Sequence, residues 1–263
     1  MANLSLGLLA LGWWIYSCVM QEGDKARNWR SRWRWIWVWA VWMACLFHWT
    51  SYLLRWYIGG RIPLGNGHET MLFLAGFLLL CTCIWQRRFS FLLPAGLLLS
   101  GFTLLVAYLS EMNPQITPLM PVLLSPWLSL HVSLIMVSYA LFALMCLCSI
   151  LALGIRRHTW QRQRLTLFCR VLLYPAVLCL GIGIFIGAVW ANVSWGSYWA
   201  WDPKEVWALI TFMLYGMAFH VQSIPRFRNP YFFHWFLIVS FSAILMTYFG
   251  VNYVLGGMHS YAG

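Results

Sequence analysis

Charge is scarce in this sequence: only 9% of its 263 residues are Asp, Glu, Lys or Arg, against 62% hydrophobic. A soluble domain carries about 25% charged residues, so a surface this poor in charge excludes water as the main solvent. Acidic residues number six. The eight cysteines, Cys18, Cys45, Cys81, Cys83, Cys146, Cys148, Cys169 and Cys179, form neither CxxC nor CxxCH. That excludes a dithiol oxidoreductase or a covalent haem-attachment motif in the chain itself. All eight fall within or at the ends of apolar runs and read as small buried side chains. No repeat of 20–50 residues and no low-complexity tract is present. No positive residue precedes the first apolar run, and its basic cluster follows at Lys25 to Arg34. A cleaved signal peptide has the opposite charge order, so a retained span with its N-terminus outside is expected.

What the chain has is apolar runs of about 20 residues, each able to cross a bilayer core of about 30 Å. They lie at roughly 4–20, 34–54, 70–86, 90–109, 129–154, 171–190, 205–223 and 232–254. The expected fold is all-α: a polytopic transmembrane helical bundle of about eight spans, forming a single membrane domain over residues 1–263.

The formal charge of +11 suggests a nucleic-acid partner until its placement is considered. With alternate loops on opposite sides, one side holds Lys25, Arg27, Arg30, Arg32, Arg34, Arg87, Arg88, Arg156, Arg157, Arg162, Arg164, Arg170, Arg226 and Arg228. The other holds Arg55, Arg61 and Lys204, with Glu69, Glu111, Asp202 and Glu205. Such asymmetry marks the first side as cytoplasmic and puts both termini outside. The basic balance reports topology, and no nucleic acid is expected.

Three outer loops are rich in turn residues: Gly59–Glu69, Ser110–Trp127 and Ala191–Lys204. The second contains Pro114, Pro118, Pro121 and Pro126 and is expected to be extended or turn-like. Gly181, Gly183 and Gly187 make a small-residue stripe in span six, with spacing that permits close helix contact; it reads as a packing signal without chemistry.

The third outer loop concentrates aromatic rings. Between Trp190 and Trp207 there are five tryptophans and Tyr198 in 18 residues. An interfacial belt needs only rings at the headgroup level. It does not need Trp195-Gly196-Ser197-Tyr198-Trp199-Ala200-Trp201-Asp202-Pro203-Lys204-Glu205, where turn residues and charges are interleaved. Flat aromatic faces can sandwich a planar macrocycle by offset stacking. Asp202 followed by Pro203 and an apolar span suits a helix N-cap with Pro at the first helical position, and Asp202 with Glu205 does not read as an acid/base pair.

This segment closely resembles the tryptophan-rich "WWD" signature of haem-handling proteins, and its Asp-Pro-Lys-Glu continuation is similar to the CcsA (ResC) family of System II cytochrome c biogenesis. Two further stretches match that family: Arg55-Trp-Tyr-Ile-Gly-Gly-Arg-Ile-Pro-Leu-Gly-Asn-Gly-His-Glu69, and Val251-Asn-Tyr-Val-Leu-Gly-Gly-Met-His-Ser-Tyr261. The resemblance covers nearly the whole chain from about residue 40. It implies that His131, at the outer mouth of span five, and His259, past the outer end of span eight, bind haem iron axially beside the Trp-rich loop. Opposed neutral imidazoles suit that ligation; either one alone could equally be an interfacial residue bonded to backbone or water. The resemblance further implies that His220, near the inner end of span seven, ligates haem within the membrane, its second ligand coming from a CcsB (ResB) partner. His234 is a rival second ligand. His48 reads equally as lining a haem path or bonding a neighbouring helix. His68 stands where an aromatic residue is commoner in the family, which leaves its role open, and His158 reads as solvated.

Lys204, Arg55 and Arg61 are the basic residues available for the haem propionates; pairing with Glu69, Asp202 or Glu205 is the competing use. The implied activity is delivery of haem b across the cell inner (cytoplasmic) membrane and its assisted covalent attachment to an apocytochrome c CxxCH segment at the extracytoplasmic, periplasmic face. The chain would be one subunit of a cytochrome c synthase, served by a thioredoxin-like thiol reductase. The alternative is a haem-binding transporter or regulator that forms no covalent bond.

Overall fold

The computed structural model describes residues 2–19, 24–109, 114–116, 118, 121–154 and 159–255. His259, His158 and residues 110–113, 117, 119 and 120 of the Ser110–Trp127 loop lie outside the described residues. Every regular element among the described residues is helical. Eight α-helices follow in chain order: α1 (Ala2–Val19), α2 (Asp24–Gly59), α3 (Gly67–Trp85), α4 (Leu92–Leu109), α5 (Pro126–Gly154), α6 (Thr159–Trp195), α7 (Pro203–Met217) and α8 (Pro230–Leu245). A π-helical segment, Met246–Leu255, continues α8.

Among the described residues, six stretches are long and apolar enough to cross a membrane: Trp33–Gly59 in α2, then α3, α4 and α5, Trp160–Trp195 in α6, and Pro230–Val251 through α8. The chain is a polytopic helical membrane protein. In a bilayer a helix satisfies every backbone polar group within itself, which is why sequences this apolar resolve into helices. Polar side chains mark where the helices start. Asn66 caps α3 by accepting the Glu69 N–H, and Asn229 caps α8 by accepting from Tyr231 ahead of Pro230.

The chain forms two compact units, Met1–Thr117 and Pro118–Gly263. In the first, small residues let helices meet at backbone distance. A Cβ on Gly7 would stand 2.7 Å from the Leu98 nitrogen, and one on Gly101 would strike the Leu4 backbone, so α1 and α4 cross in direct contact. Asn3 Nδ2 donates to Ser100 Oγ across the same seam at 3.1 Å. Ala10, Val41, Cys45, Leu79, Cys83, Leu93 and Leu97 fill the centre of this unit.

In the second unit, α5 packs along α6 and α8 closes against both. Phe142 of α5 stacks on Tyr215 of α7 with centroids 3.8 Å apart. His234 is fully buried between Thr166 and Ser149. Several elements differ from the sequence expectation: α2 starts at Asp24 and α6 at Thr159 rather than near 34 and 171, and α1 and α7 are not among the six membrane-length stretches. α6 runs helically to Trp195, so the expected Ala191–Lys204 loop shrinks to 196–202. α7 ends at Met217 rather than extending to 223, and hydrogen-bonded turns follow it.

Candidate functional site

The Trp-rich segment is a tight turn between two helix ends, and its own polar residues fix its shape. Gly196 stops α6: at φ 76° it takes the left-handed conformation that a glycine adopts at low cost, and its N–H closes on the Asn192 carbonyl at 2.9 Å. At the other end Asp202 and Glu205 form a reciprocal capping box for α7. Asp202 Oδ1 accepts the Lys204 N–H at 3.0 Å, while Glu205 Oε2 accepts from the Asp202 N–H at 3.2 Å and the Ala200 N–H at 2.9 Å. The expected N-cap role of Asp202, with Pro203 in the first turn, is borne out.

Between these anchors Trp201 sits at φ 56°, the only non-glycine residue with positive φ among those described. That conformation costs about 1–2 kcal/mol for a residue with a Cβ. The two N–H groups drawn onto Glu205 sustain it. The strained turn holds three rings outward: Trp195, Tyr198 and Trp201 are 47%, 61% and 72% exposed. Trp199 meets Trp201 edge to face at 6.0 Å, and Trp195 meets the buried Trp190 the same way at 6.0 Å. Ser197 is exposed within the turn. The segment is a fixed aromatic surface on a short polar scaffold.

His131 lies half-buried on α5 and faces α6. Its Nδ1 is 2.7 Å from the Gly183 carbonyl oxygen. A carbonyl only accepts, so Nδ1 carries the proton. The Gly stripe of span six is therefore more than a packing seam. A Cβ on Gly187 would lie 2.6 Å from both Cε1 and Nδ1 of His131, and one on Gly183 would lie 2.8 Å from Ile135 Cδ1. Gly183 and Gly187 give the close helix contact expected of the stripe, and at Gly187 the partner in that contact is His131. The signal for them was their spacing opposite a polar residue on the neighbouring span. Along α6, Gly187 precedes Trp195 by eight residues, a rise of about 12 Å.

His220 lies beyond the end of α7, exposed, with its backbone N–H on the Met217 carbonyl at 3.1 Å. It stands at the opposite end of α7 from Asp202. His234 is engaged on both sides: Thr166 Oγ1 is 2.8 Å from Nε2 and Ser149 Oγ is 2.9 Å from Nδ1. Thr166 also donates its hydroxyl proton to the Arg162 carbonyl at 2.9 Å. It therefore accepts from His234 Nε2–H, which leaves Nδ1 to accept from Ser149. Neither ring nitrogen has a lone pair to offer iron, and the ring is fully buried.

In the first unit, His48 Nε2 meets the Leu72 carbonyl at 2.8 Å, which favours the helix-bonding reading over the haem path. Arg55 and Arg61 converge on one carboxylate. Glu69, 1% exposed, receives Arg55 at 3.2 Å and Arg61 at 2.8 Å, and it also accepts the Gly65 N–H at 2.8 Å. Arg55 Nη1 and Nη2 donate to the Pro114 and Gln115 carbonyls. These two cations serve the loop, as the competing reading held. Lys204, the third basic residue considered for propionates, follows the aromatic turn directly in the chain. Burial pushes its ammonium down to about 8, against the raising effect of Asp202. The cysteines with described side chains are all free thiols, and no group of three or more His, Cys, Asp or Glu placed to hold a metal occurs among the described residues.

Residues 64–259 match the family model described as "Cytochrome C assembly protein". Protein NrfI of Wolinella succinogenes is 39% identical over 229 residues, covering 84% of this chain and 25% of its own length. The cytochrome c biogenesis protein CcsA of Chlamydomonas reinhardtii is 35% identical, covering 80% of this chain and 63% of that protein. The protein of the same name from Prochlorococcus marinus (strain MIT 9301) is 32% identical over 80% of this chain and 79% of its own length. The chain thus spans a quarter of NrfI and under two thirds of the algal protein. With the helical spans, the capped aromatic turn and these matches together, the chain belongs to the cytochrome c assembly protein family, among its CcsA-type members.

Proposed function

We propose that this chain works in cytochrome c maturation by holding haem b at the extracytoplasmic face of the cell inner membrane and assisting its attachment to apocytochrome c. The observation that carries this reading is the Trp195–Trp201 turn. Its outward indoles are fixed by a capping box and a left-handed Trp201, where a simple interfacial belt would need neither. Offset stacking on such faces suits a porphyrin.

In this reading His131 and His259 bind the iron from opposite sides, while Trp195, Gly196, Ser197, Tyr198, Trp199 and Trp201 line the macrocycle. Asp202, Pro203 and Glu205 hold the turn in shape, and Lys204 offers its charge to a propionate. His220, exposed past α7, binds haem on its way outward, with the second ligand supplied by a CcsB/ResB-type membrane subunit. The apocytochrome CxxCH segment then docks with its thiols kept reduced by a thioredoxin-like protein. Each S–H adds across a haem vinyl double bond, sulfur to one carbon and hydrogen to the other, so no electrons leave the pair. The arriving motif's histidine displaces one imidazole. Catalysis is positioning rather than side-chain acid/base work.

The test is the visible spectrum of the full chain purified with its membrane partner. A Soret band lost or shifted in His131→Ala and His259→Ala supports the reading; a band unchanged in both removes it. Covalent holocytochrome formed on co-expression with a CxxCH substrate separates ligation from haem binding without bond formation.

A further inference from the structure

The seat beneath His131 is built from backbone. The ring leans on α6 where two glycines replace what would otherwise be side chains. The Gly183 carbonyl takes the Nδ1 proton at 2.7 Å. Gly187 leaves the space that the ring edge occupies, since a Cβ there would come within 2.6 Å of Nδ1 and Cε1. Real Cβ atoms do not approach a neighbour that closely, so any residue other than glycine at 187 must tilt or expel the imidazole. Gly181, on the same stripe, would instead meet Phe212 Cε2, at 3.0 Å. The stripe therefore does two separable jobs, and only one of them concerns His131.

A histidine that binds metal commonly donates its other ring N–H to a backbone carbonyl. That bond fixes the tautomer and ring plane and raises the basicity of the ligating nitrogen. We infer that Gly187 and the Gly183 carbonyl are positioning elements for the outer haem: they set His131 in the Nδ1–H tautomer, with Nε2 as its iron-binding atom and its ring plane fixed by α6. The inference rests on the proposed role of His131 as a haem ligand. It adds a residue, an atom and an orientation to that role.

The test compares Gly187→Ala with Gly181→Ala in the full chain purified with its membrane partner. Disturbing a partner of this kind typically weakens metal binding about tenfold or more. Gly187→Ala is expected to lower haem affinity by about that factor and to move the bound haem from a low-spin towards a high-spin spectrum, with a shifted midpoint potential. Gly181→Ala is expected to keep the parent spectrum. Should Gly187→Ala fail to accumulate, the double variant His131→Gly/Gly187→Ala removes the clash. Added imidazole is expected to restore haem to His131→Gly but to restore less to the double variant, whose cavity is narrower. A parent-like spectrum and potential in Gly187→Ala, or equal rescue of the two His131→Gly proteins, overturns the inference. An unchanged spectrum in His131→Ala instead overturns the ligand role itself, so the two failures are distinguishable.

Discussion

Arg61 and Glu69 face each other across one turn of loop, Nη1 to Oε2 at 2.8 Å and Nη2 to Oε1 at 3.2 Å, with the carboxylate almost wholly out of solvent. Arg55 reaches the same group from α2. Two guanidinium groups and a backbone N–H thus converge on one buried anion. Removing one partner of such an arrangement leaves uncompensated buried charge, which costs about 3–5 kcal/mol. Glu69→Gln is therefore expected to lower the melting temperature of the purified protein markedly. Arg61→Lys, which keeps the charge and loses the fork, is expected to fall between it and the parent. A Glu69→Gln melting curve that overlays the parent's would contradict the clamp.

The aromatic turn makes a different prediction, because its polar residues act on the backbone. Asp202→Asn keeps a capping oxygen and is expected to change little. Asp202→Ala loses the cap at about 1 kcal/mol. Glu205→Gln retains one acceptor oxygen, whereas Glu205→Ala releases both the Ala200 and Asp202 N–H groups and with them the left-handed Trp201. Glu205→Ala is expected to lose bound haem with its melting temperature reduced only modestly. Soret absorbance per protein, measured beside a thermal melt, checks the separation.

Lys204 gives a pH dependence. Its ammonium is ordinarily lost near 10.5 and in the fold near 8, so between these values the unfolded chain holds a proton that the folded chain has released. Stability contributed by this group is absent below about pH 8 and rises as pH climbs towards 10.5. The difference in melting temperature between the parent and Lys204→Met is expected to change in the parent's favour through that window. Affinity for a carboxylate-bearing porphyrin moves the opposite way, weakening as pH passes 8, because the cation it pairs with disappears.

His234 tests the sorting of histidines. Both its nitrogens are satisfied by Ser149 and Thr166. His234→Ala is expected to destabilise the protein by taking the acceptor from the buried Ser149 hydroxyl and the donor from the Thr166 oxygen, at about 1–3 kcal/mol for an unsatisfied group, while the haem spectrum of the protein that folds stays the same. A lost Soret band at unchanged melting temperature would return His234 to the list of ligands.

The long spans are legible because apolar length is a property of the chain itself, needing no knowledge of neighbours. The Asp202 cap was legible for the same reason: Asp-Pro ahead of an apolar run is a local signal. Where packing decides, the sequence said less. The outer loop expected at Ala191–Lys204 is shorter in the structure because the helix continues past Asn192 and Ser194 until Gly196 stops it. The Gly183/Gly187 spacing announced close contact but not with what; that His131 fills the space depends on how α5 lies along α6. The pairing of Arg55 and Arg61 with Glu69 was one of two readings, and it won because the loop folds back to bring 14 and eight residues of separation within reach of one carboxylate.

α7 has 15 residues and rises about 22 Å, against about 44 Å for α5 and about 55 Å for α6. A hydrocarbon layer of about 30 Å is thicker than that shortest helix. α7 by itself is therefore shorter than the six stretches that reach membrane-crossing length. Asp202 caps one of its ends and His220 follows just past the other.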